Sequence, residues 1–144
     1  MKNNSIKILE CKSFKENFDT FWQKLKNTSK NTFIADRDSK WLNWHYKYLK
    51  DTNKIWTYYI EKDDEMVAYA TFILKTKTKS RIEYAQLVDI QSIDNNPENI
   101  IALISKGILK CKQEKISYLK VIGFSESKRT IIKTLNPYNS FKID

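Results

Sequence analysis

The chain is poor in the residues that most often announce a function. Its 144 residues include two glycines, two prolines, two cysteines and one histidine. Cys11 and Cys111 lie a hundred positions apart, with no second Cys or His at ligand spacing. That excludes both a readable zinc site and a disulfide framework, and leaves reduced thiols as the expectation. No run approaches the ~20 apolar residues of a membrane span, and the opening MKNNSIKILECK is too polar for a signal peptide. A soluble, cytoplasmic protein without metal is expected. Repeats, linkers and low-complexity segments are absent as well, so a single domain over residues 1–144 is the simplest organisation. A chain of this length can bury roughly two thirds of its unfolded surface without a metal or disulfide to help.

What is abundant is lysine. The formal net charge is +9, yet all but three of the 26 basic residues are Lys, the exceptions being Arg37, Arg81 and Arg129. Surfaces that clamp phosphates or read bases favour the rigid fork of Arg. The chain is also rich in Ile and Asn, the pattern of an AT-rich coding bias spread over a solvated face. Nucleic acid is therefore not the expected partner.

Taken in order, Ser5 to Glu10 alternates as a short strand. Ser13-Phe-Lys-Glu16 has the form of a capping box, and Phe14, Phe18, Phe21, Trp22 and Leu25 follow at helical spacing, predicting an amphipathic helix. Asp36 or Asp38 can cap a second helix, along which Trp41, Trp44, His45 and Tyr48 form one stripe and Leu42, Tyr46 and Leu49 the next. Trp22, Trp41 and Trp44 are expected in the core. His45 between two tryptophans reads first as a packed residue, with its titration range keeping a functional role open.

From Ile55 the period becomes that of strands. Two β-rich runs around Lys62 to Glu65 form a hairpin, KTKTKS (Lys75–Ser80) makes a second turn, and Arg81 to Ile93 is a third strand. Its centre carries one carboxylate, Asp89, whose alternative role is to orient Arg37 or a backbone group. Glu83 and Gln91 share the parity of Asp89 on the strand, and so its face. The chain then turns through Asp94, Asn95 and Asn96 into a helix with Pro97 in its first turn, a geometry able to hold an anion on free N–H groups. Tyr118 to Phe124 is a further strand, parallel to the third because a helix separates them. Ser125 or Ser127 can cap a final helix, and Tyr138 to Ile143 can be a last strand.

This order, strand, two helices, three antiparallel strands, helix, strand, helix, strand, resembles the GNAT N-acyltransferases, a mixed α/β fold whose largely antiparallel sheet is flanked by helices on both faces. Phe21-Trp22-x-x-Leu25, Ala35-Asp36-Arg37-Asp38-x-x-Trp41-Leu42-x-Trp44-His45-Tyr46 and Leu87-Val88-Asp89-Ile90 are similar to a GNAT-like branch found with surface-polysaccharide genes and related to Fem-type transferases.

The resemblance implies acyl transfer from acetyl-CoA or another acyl-CoA to an amine of a small molecule or sugar, with the pantetheine arm in a splay between the strands Ala85–Ile93 and Tyr118–Phe124. It puts the pyrophosphate on the turn of Asn95, Asn96, Glu98 and Asn99; Lys75, Lys77 or Lys79 of KTKTKS can reach the adenosine phosphates if the hairpin end folds over the groove. Asp89 becomes the base or the group that holds the amine, Tyr138 a substitute for the tyrosine that such folds carry in the last helix, and Glu83, Gln91 and His45 substrate contacts. The sequence departs from the pattern where glycines are usual, since Asp94-Asn-Asn-Pro-Glu-Asn99 has none. That departure leaves an alternative open, a non-catalytic binding or assembly module that has lost its cofactor loop. A second copy of the chain, in a homodimer, is a further possible partner.

Overall fold

The computed structural model describes residues 6–28, 37–121 and 123–135. The elements are β1 (Lys7–Cys11), α1 (Glu16–Thr28), α2 (Ser39–His45), α3 (Lys47–Asp51), β2 (Ile55–Lys62), β3 (Glu65–Thr76), β4 (Glu83–Ser92), α4 (Pro97–Gln113), β5 (Leu119–Val121) and α5 (Glu126–Lys133), with a short 3₁₀ turn at Ile93–Asn95 before α4. One five-stranded sheet runs β1-β2-β3-β4-β5. Every pairing is antiparallel except β4 with β5, which is parallel over Ala85–Leu87 against Leu119–Val121.

Local chemistry accounts for the turns. Asp63 and Asp64 both adopt positive φ at the β2–β3 hairpin, the left-handed pair that the strand twist favours and that Asp tolerates. Asp38 caps α2 by accepting from the Trp41 N–H at 2.7 Å. The other capping candidate, Asp36, and the suggested strand Tyr138–Ile143 lie outside the described residues. Ser125 caps α5, its hydroxyl accepting from the Lys128 N–H.

Helix α1 starts at Glu16, later than a Ser13 cap would place it. Phe14 is instead pinned in the preceding turn by Asn43, which accepts from the Phe14 N–H and donates to its carbonyl. A long-range side chain thus fixes the backbone just before the helix, at the place where a local capping box was expected.

Helices cover both faces of the sheet. On one face α4 lays Ile100, Leu103, Ile104 and Cys111 over Trp56, Tyr58, Ile60, Ala68, Ala70, Phe72, Ala85, Leu87 and Ile90. On the other, α1 and α2 bring Phe14, Phe18, Phe21, Trp22, Leu25, Leu42 and Tyr46 against Met66 and Tyr69. Of the three tryptophans expected in the core, Trp22 is buried and Trp41 only half-buried, while Trp44 is 74% exposed. Leu42 in α2 and Tyr46 at its C-cap face the core, and Trp44, two residues from each, lies on roughly the opposite side of a helix with ~3.6 residues per turn.

Candidate active site

The site begins with an irregularity in β4. Thr71 pairs with Asp89 and the next residue, Phe72, pairs with Leu87, so Val88 has no partner across the ladder. Such a bulge inserts one extra residue and turns every later side chain to the opposite face. Ala85 and Leu87 point to the α4 core, and so does Ile90, three residues on rather than two. Val88 and Asp89 therefore both face α1 and α2. Glu83, on the near side of the bulge, has the parity of Ala85 and Leu87 and is exposed; it does not share a face with Asp89, whereas Gln91 does. The bulge has a trace in the sequence, the apolar doublet Leu87-Val88, which breaks the alternation two residues before Ile90.

The bulge matters because it carries Asp89 out of the aliphatic core and into a hydrogen-bonded setting. Arg37 Nε donates to Asp89 Oδ2 at 2.8 Å and the Tyr69 hydroxyl donates to the same oxygen at 2.6 Å. Gln91 Nε2 donates to Oδ1 at 3.1 Å. The Asp89 side chain is 5% exposed and that of Arg37 24%. A carboxylate so buried is tolerable only with donors of this kind. Burial, and then the charge of Asp89, push the Tyr69 hydroxyl well above its ordinary pKa, and the same two causes raise Tyr46. Both phenols stay protonated as donors. Burial pulls the Arg37 guanidinium down, but Asp89 more than offsets it, and the guanidinium lies above its ordinary value.

Beside Asp89 opens a cavity of about 420 Å³ lined by Arg37, Trp41, His45, Tyr46, Leu49, Ile73, Val88 and Asp89. Trp41, His45 and Leu49 recur every four residues and form its helical wall. The His45 ring stacks on Trp41 with centroids 4.4 Å apart and planes within 14°. His45 is exposed rather than packed in the core, and it lines the pocket with its ring against Trp41.

Among the described residues β4 has no pairing with β5 past Leu87, so in the described sheet Val88 to Ser92 form an outer edge. That edge leads to the 3₁₀ turn, where Asp94 and Asn95 take positive φ, and to the N-terminus of α4. Here the structure narrows the expected phosphate site. Asn96 is the cap, and its side chain accepts from the Asn99 N–H while its carbonyl accepts from Ile100. Pro97 has no N–H, so these bonds leave only Glu98 with a backbone donor to offer at the helix start. Asn95 and Glu98 are exposed, Asn96 is half-buried and Asn99 is buried. The turn residues do come together, but as a self-satisfied cap.

The KTKTKS turn lies elsewhere. It joins β3 to the beginning of β4, whereas α4 follows the end of β4; nine strand steps separate them, about 30 Å at ~3.3 Å per residue. Those lysines cannot reach a phosphate at the α4 turn. Tyr138 lies outside the described residues. Among the described residues no cluster of His, Cys, Asp or Glu could hold a metal, and no helix is long and apolar enough to cross a membrane.

Residues that single-sequence reasoning did not place at the site include Tyr69, Trp41, Val88 and Lys128. Lys128, on α5, donates from Nζ to Gln91 Oε1 at 3.2 Å and so closes a chain of contacts Arg37–Asp89–Gln91–Lys128. No local signal marks it or Tyr69, since each reaches β4 from an element distant in sequence.

An antiparallel run of strands with one parallel addition, helices on both faces and a bulge in β4 match the fold of the GNAT acetyltransferases. The chain superimposes over its whole length on 95% of an aminoglycoside acetyltransferase from an uncultured soil metagenomic sample, solved in complex with trehalose, at TM-score 0.73 and 12% identity. A predicted acetyltransferase from Clostridium acetobutylicum, solved with acetyl-CoA, matches 97% of the chain and 96% of its own at TM-score 0.68 and 11% identity. Glucosamine-6-phosphate N-acetyltransferase from Arabidopsis thaliana matches 98% and 97% at TM-score 0.68 and 10% identity. At these identities the likeness is one of fold. No protein-family model matches the sequence, and no curated protein does.

Proposed function

We propose that this protein is an acyl-CoA-dependent N-acyltransferase that acts on an amine of a small molecule or sugar, within the GNAT-like branch whose motifs its Arg37-Asp38…Trp41-Leu42 string resembles. The observation that carries this reading is the joining of three features on a single strand. The bulge at Val88, the open edge beyond Leu87 and the pocket ending on Asp89 lie within five residues of β4. An open strand edge offers alternating N–H and C=O groups to an extended amide-bearing arm, as pantetheine is. The residues present suit that arm better than they suit the pyrophosphate, for which only Glu98 keeps an N–H.

Bound acyl-CoA supplies an activated thioester. The protein's own residues hold the amine. A carboxylate has about four acceptor positions, and three described donors use three of those on Asp89, which leaves room for one more donor from the pocket. Asp89 accordingly fits an amine-holding and orienting role. Arg37 and His45 give the pocket polar, nitrogen-bearing groups, suited to an acceptor that is polar away from its amine. Two of the fold neighbours are an aminoglycoside acetyltransferase and a glucosamine-6-phosphate N-acetyltransferase, which supports the substrate class without naming a substrate.

A second reading, a non-catalytic binding module, draws support from the glycine-free cap at Asn96 and from Asp94 and Glu98 beside it, whose charge opposes a pyrophosphate. Calorimetric titration with acetyl-CoA at low salt separates the two. Binding in the high micromolar range is expected, on the order of −5 kcal/mol, tightening in the double variant Asp94→Ala, Glu98→Ala. Absence of heat at millimolar ligand in both proteins would sink the acyl-CoA reading and leave the module.

A further inference from the structure

Lys128 takes an unusual path. Its helix, α5, packs Ile131, Ile132 and Leu135 on the α4 side of the sheet. Its Nζ nevertheless bonds Gln91 Oε1 at 3.2 Å, and Gln91, beyond the bulge, faces α1 and α2 with Asp89. The inner edge of β4 is occupied by β3 along its length. The side chain therefore passes the outer edge beyond Leu87, where no described strand pairs with β4. A primary amine is thus held across the open edge that, on the reading above, receives the acyl thioester.

We propose that Lys128 is a self-acylation site, its Nζ taking the acyl group from a thioester lodged against the open edge of β4. In that step the neutral amine attacks the thioester carbonyl, a C–N bond forms and the C–S bond breaks. The thiolate leaves with the proton released by nitrogen, giving an amide and a thiol, and no oxidant or further reactant is needed.

The surroundings favour the nucleophilic form of this lysine. Burial is the main influence and lowers its pKa from the ordinary value; Arg37 acts in the same direction, while Asp89 opposes both. Arg37 and Asp89 are the charged groups that face it from the sheet side. A larger neutral fraction at neutral pH distinguishes Lys128 from exposed lysines such as Lys47, which is ion-paired to Asp51 and raised. Acylation would also remove the charge of the ammonium that bridges to Gln91 and leave a single amide N–H there, weakening the link between α5 and the Asp89 network.

The test rests on the proposed acyltransferase reading but fails separately from it. The full chain is incubated with acetyl-CoA, and in a second arm with S-acetyl-N-acetylcysteamine, a small thioester that lacks the nucleotide and does not need the α4 turn. Acetylation at each lysine is followed by peptide mass spectrometry, with Lys47 and Lys24 as internal references and Lys128→Arg as the control. Lys128 should be acetylated at least tenfold faster than either reference in the small-thioester arm, and that advantage should shrink as the pH is raised toward the ordinary lysine range. Selective labelling by the small thioester without calorimetric binding of acetyl-CoA would uphold the site and refute the acyl-CoA reading. Binding of acetyl-CoA, with Lys128 labelled no faster than Lys47 in both arms, would overturn the site and leave the function standing. Equal, slow labelling of all lysines without binding would overturn both.

Discussion

The two faces of the sheet are built from different chemistry, and only one of them ends in a functional group. Against α4 the sheet sets the small residues Ala68, Ala70 and Ala85 between larger ones, Trp56, Tyr58, Phe72, Leu87 and Ile90, so the helix packs close and the layer is sealed by volume. Against α1 the core is aromatic, with Phe18 and Phe21 meeting the Tyr69 ring edge-on at 5.2 and 5.6 Å. Tyr69 then passes its hydroxyl to Asp89. The second face thus uses a ring with a polar tip to join the hydrophobic core to a buried carboxylate. The bulge at Val88 is the switch between the faces, since without it Asp89 would point at α4, among aliphatic groups with no donor to offer.

Four substitutions break or sharpen this contrast. The largest effect is expected for Trp22→Ala on the aromatic face, where a buried ring is lost, at a cost of about 3–5 kcal/mol in urea unfolding. Next comes Asp89→Ala, which removes the acceptor shared by Arg37, Tyr69 and Gln91. Breaking a buried pair costs about 3–5 kcal/mol, and partial exposure of Arg37 lowers the expectation to about 2–4 kcal/mol. A loss under about 1 kcal/mol would mean that the carboxylate is not integrated into that face.

On the sealed face the sensitive point is Gly107. A Cβ there would lie 2.4 Å from two ring atoms of Phe72, which is fully buried and has nowhere to retreat. Gly107→Ala gains about 1 kcal/mol of helix propensity but overpacks the layer by about 1–3 kcal/mol, so a net loss of about 1 kcal/mol is expected. A gain in thermal midpoint would show that this face is less tightly packed than the geometry says. Trp44→Ala closes the series: at 74% exposure it should change stability by no more than about 0.5 kcal/mol, and any larger loss would mean that the ring is covered by something in solution.

Much of the architecture is legible in the residues themselves. The aromatic helix, the β2–β3 hairpin, the parallel return of β5 after α4 and the general fold all follow from periodicity, turn residues and a resemblance carried by a few motifs. These are local signals, set by neighbours within one turn or one pleat, and they need no knowledge of distant contacts. The site is less legible for a definite reason. Asp89 stands out as the single carboxylate in an apolar strand, and His45 as the single histidine, but their company cannot be deduced from residues nearby in the chain.

What the sequence by itself determined is which segments become strands and helices, because hydrophobic period and capping chemistry act over a few residues. What only the tertiary structure decided is direction. A single unpaired residue, Val88, reversed the facing of Asp89 and Gln91 while leaving Glu83 behind; α2 turned Trp44 outward; and Asn43 fixed the backbone just before α1. The α4 turn likewise spent its donors on Asn96, and Lys128 arrived at β4 from the far side of the sheet. Each of these is settled by a contact between residues remote in the chain, where one added residue in a ladder or one competing hydrogen bond outweighs the local preference.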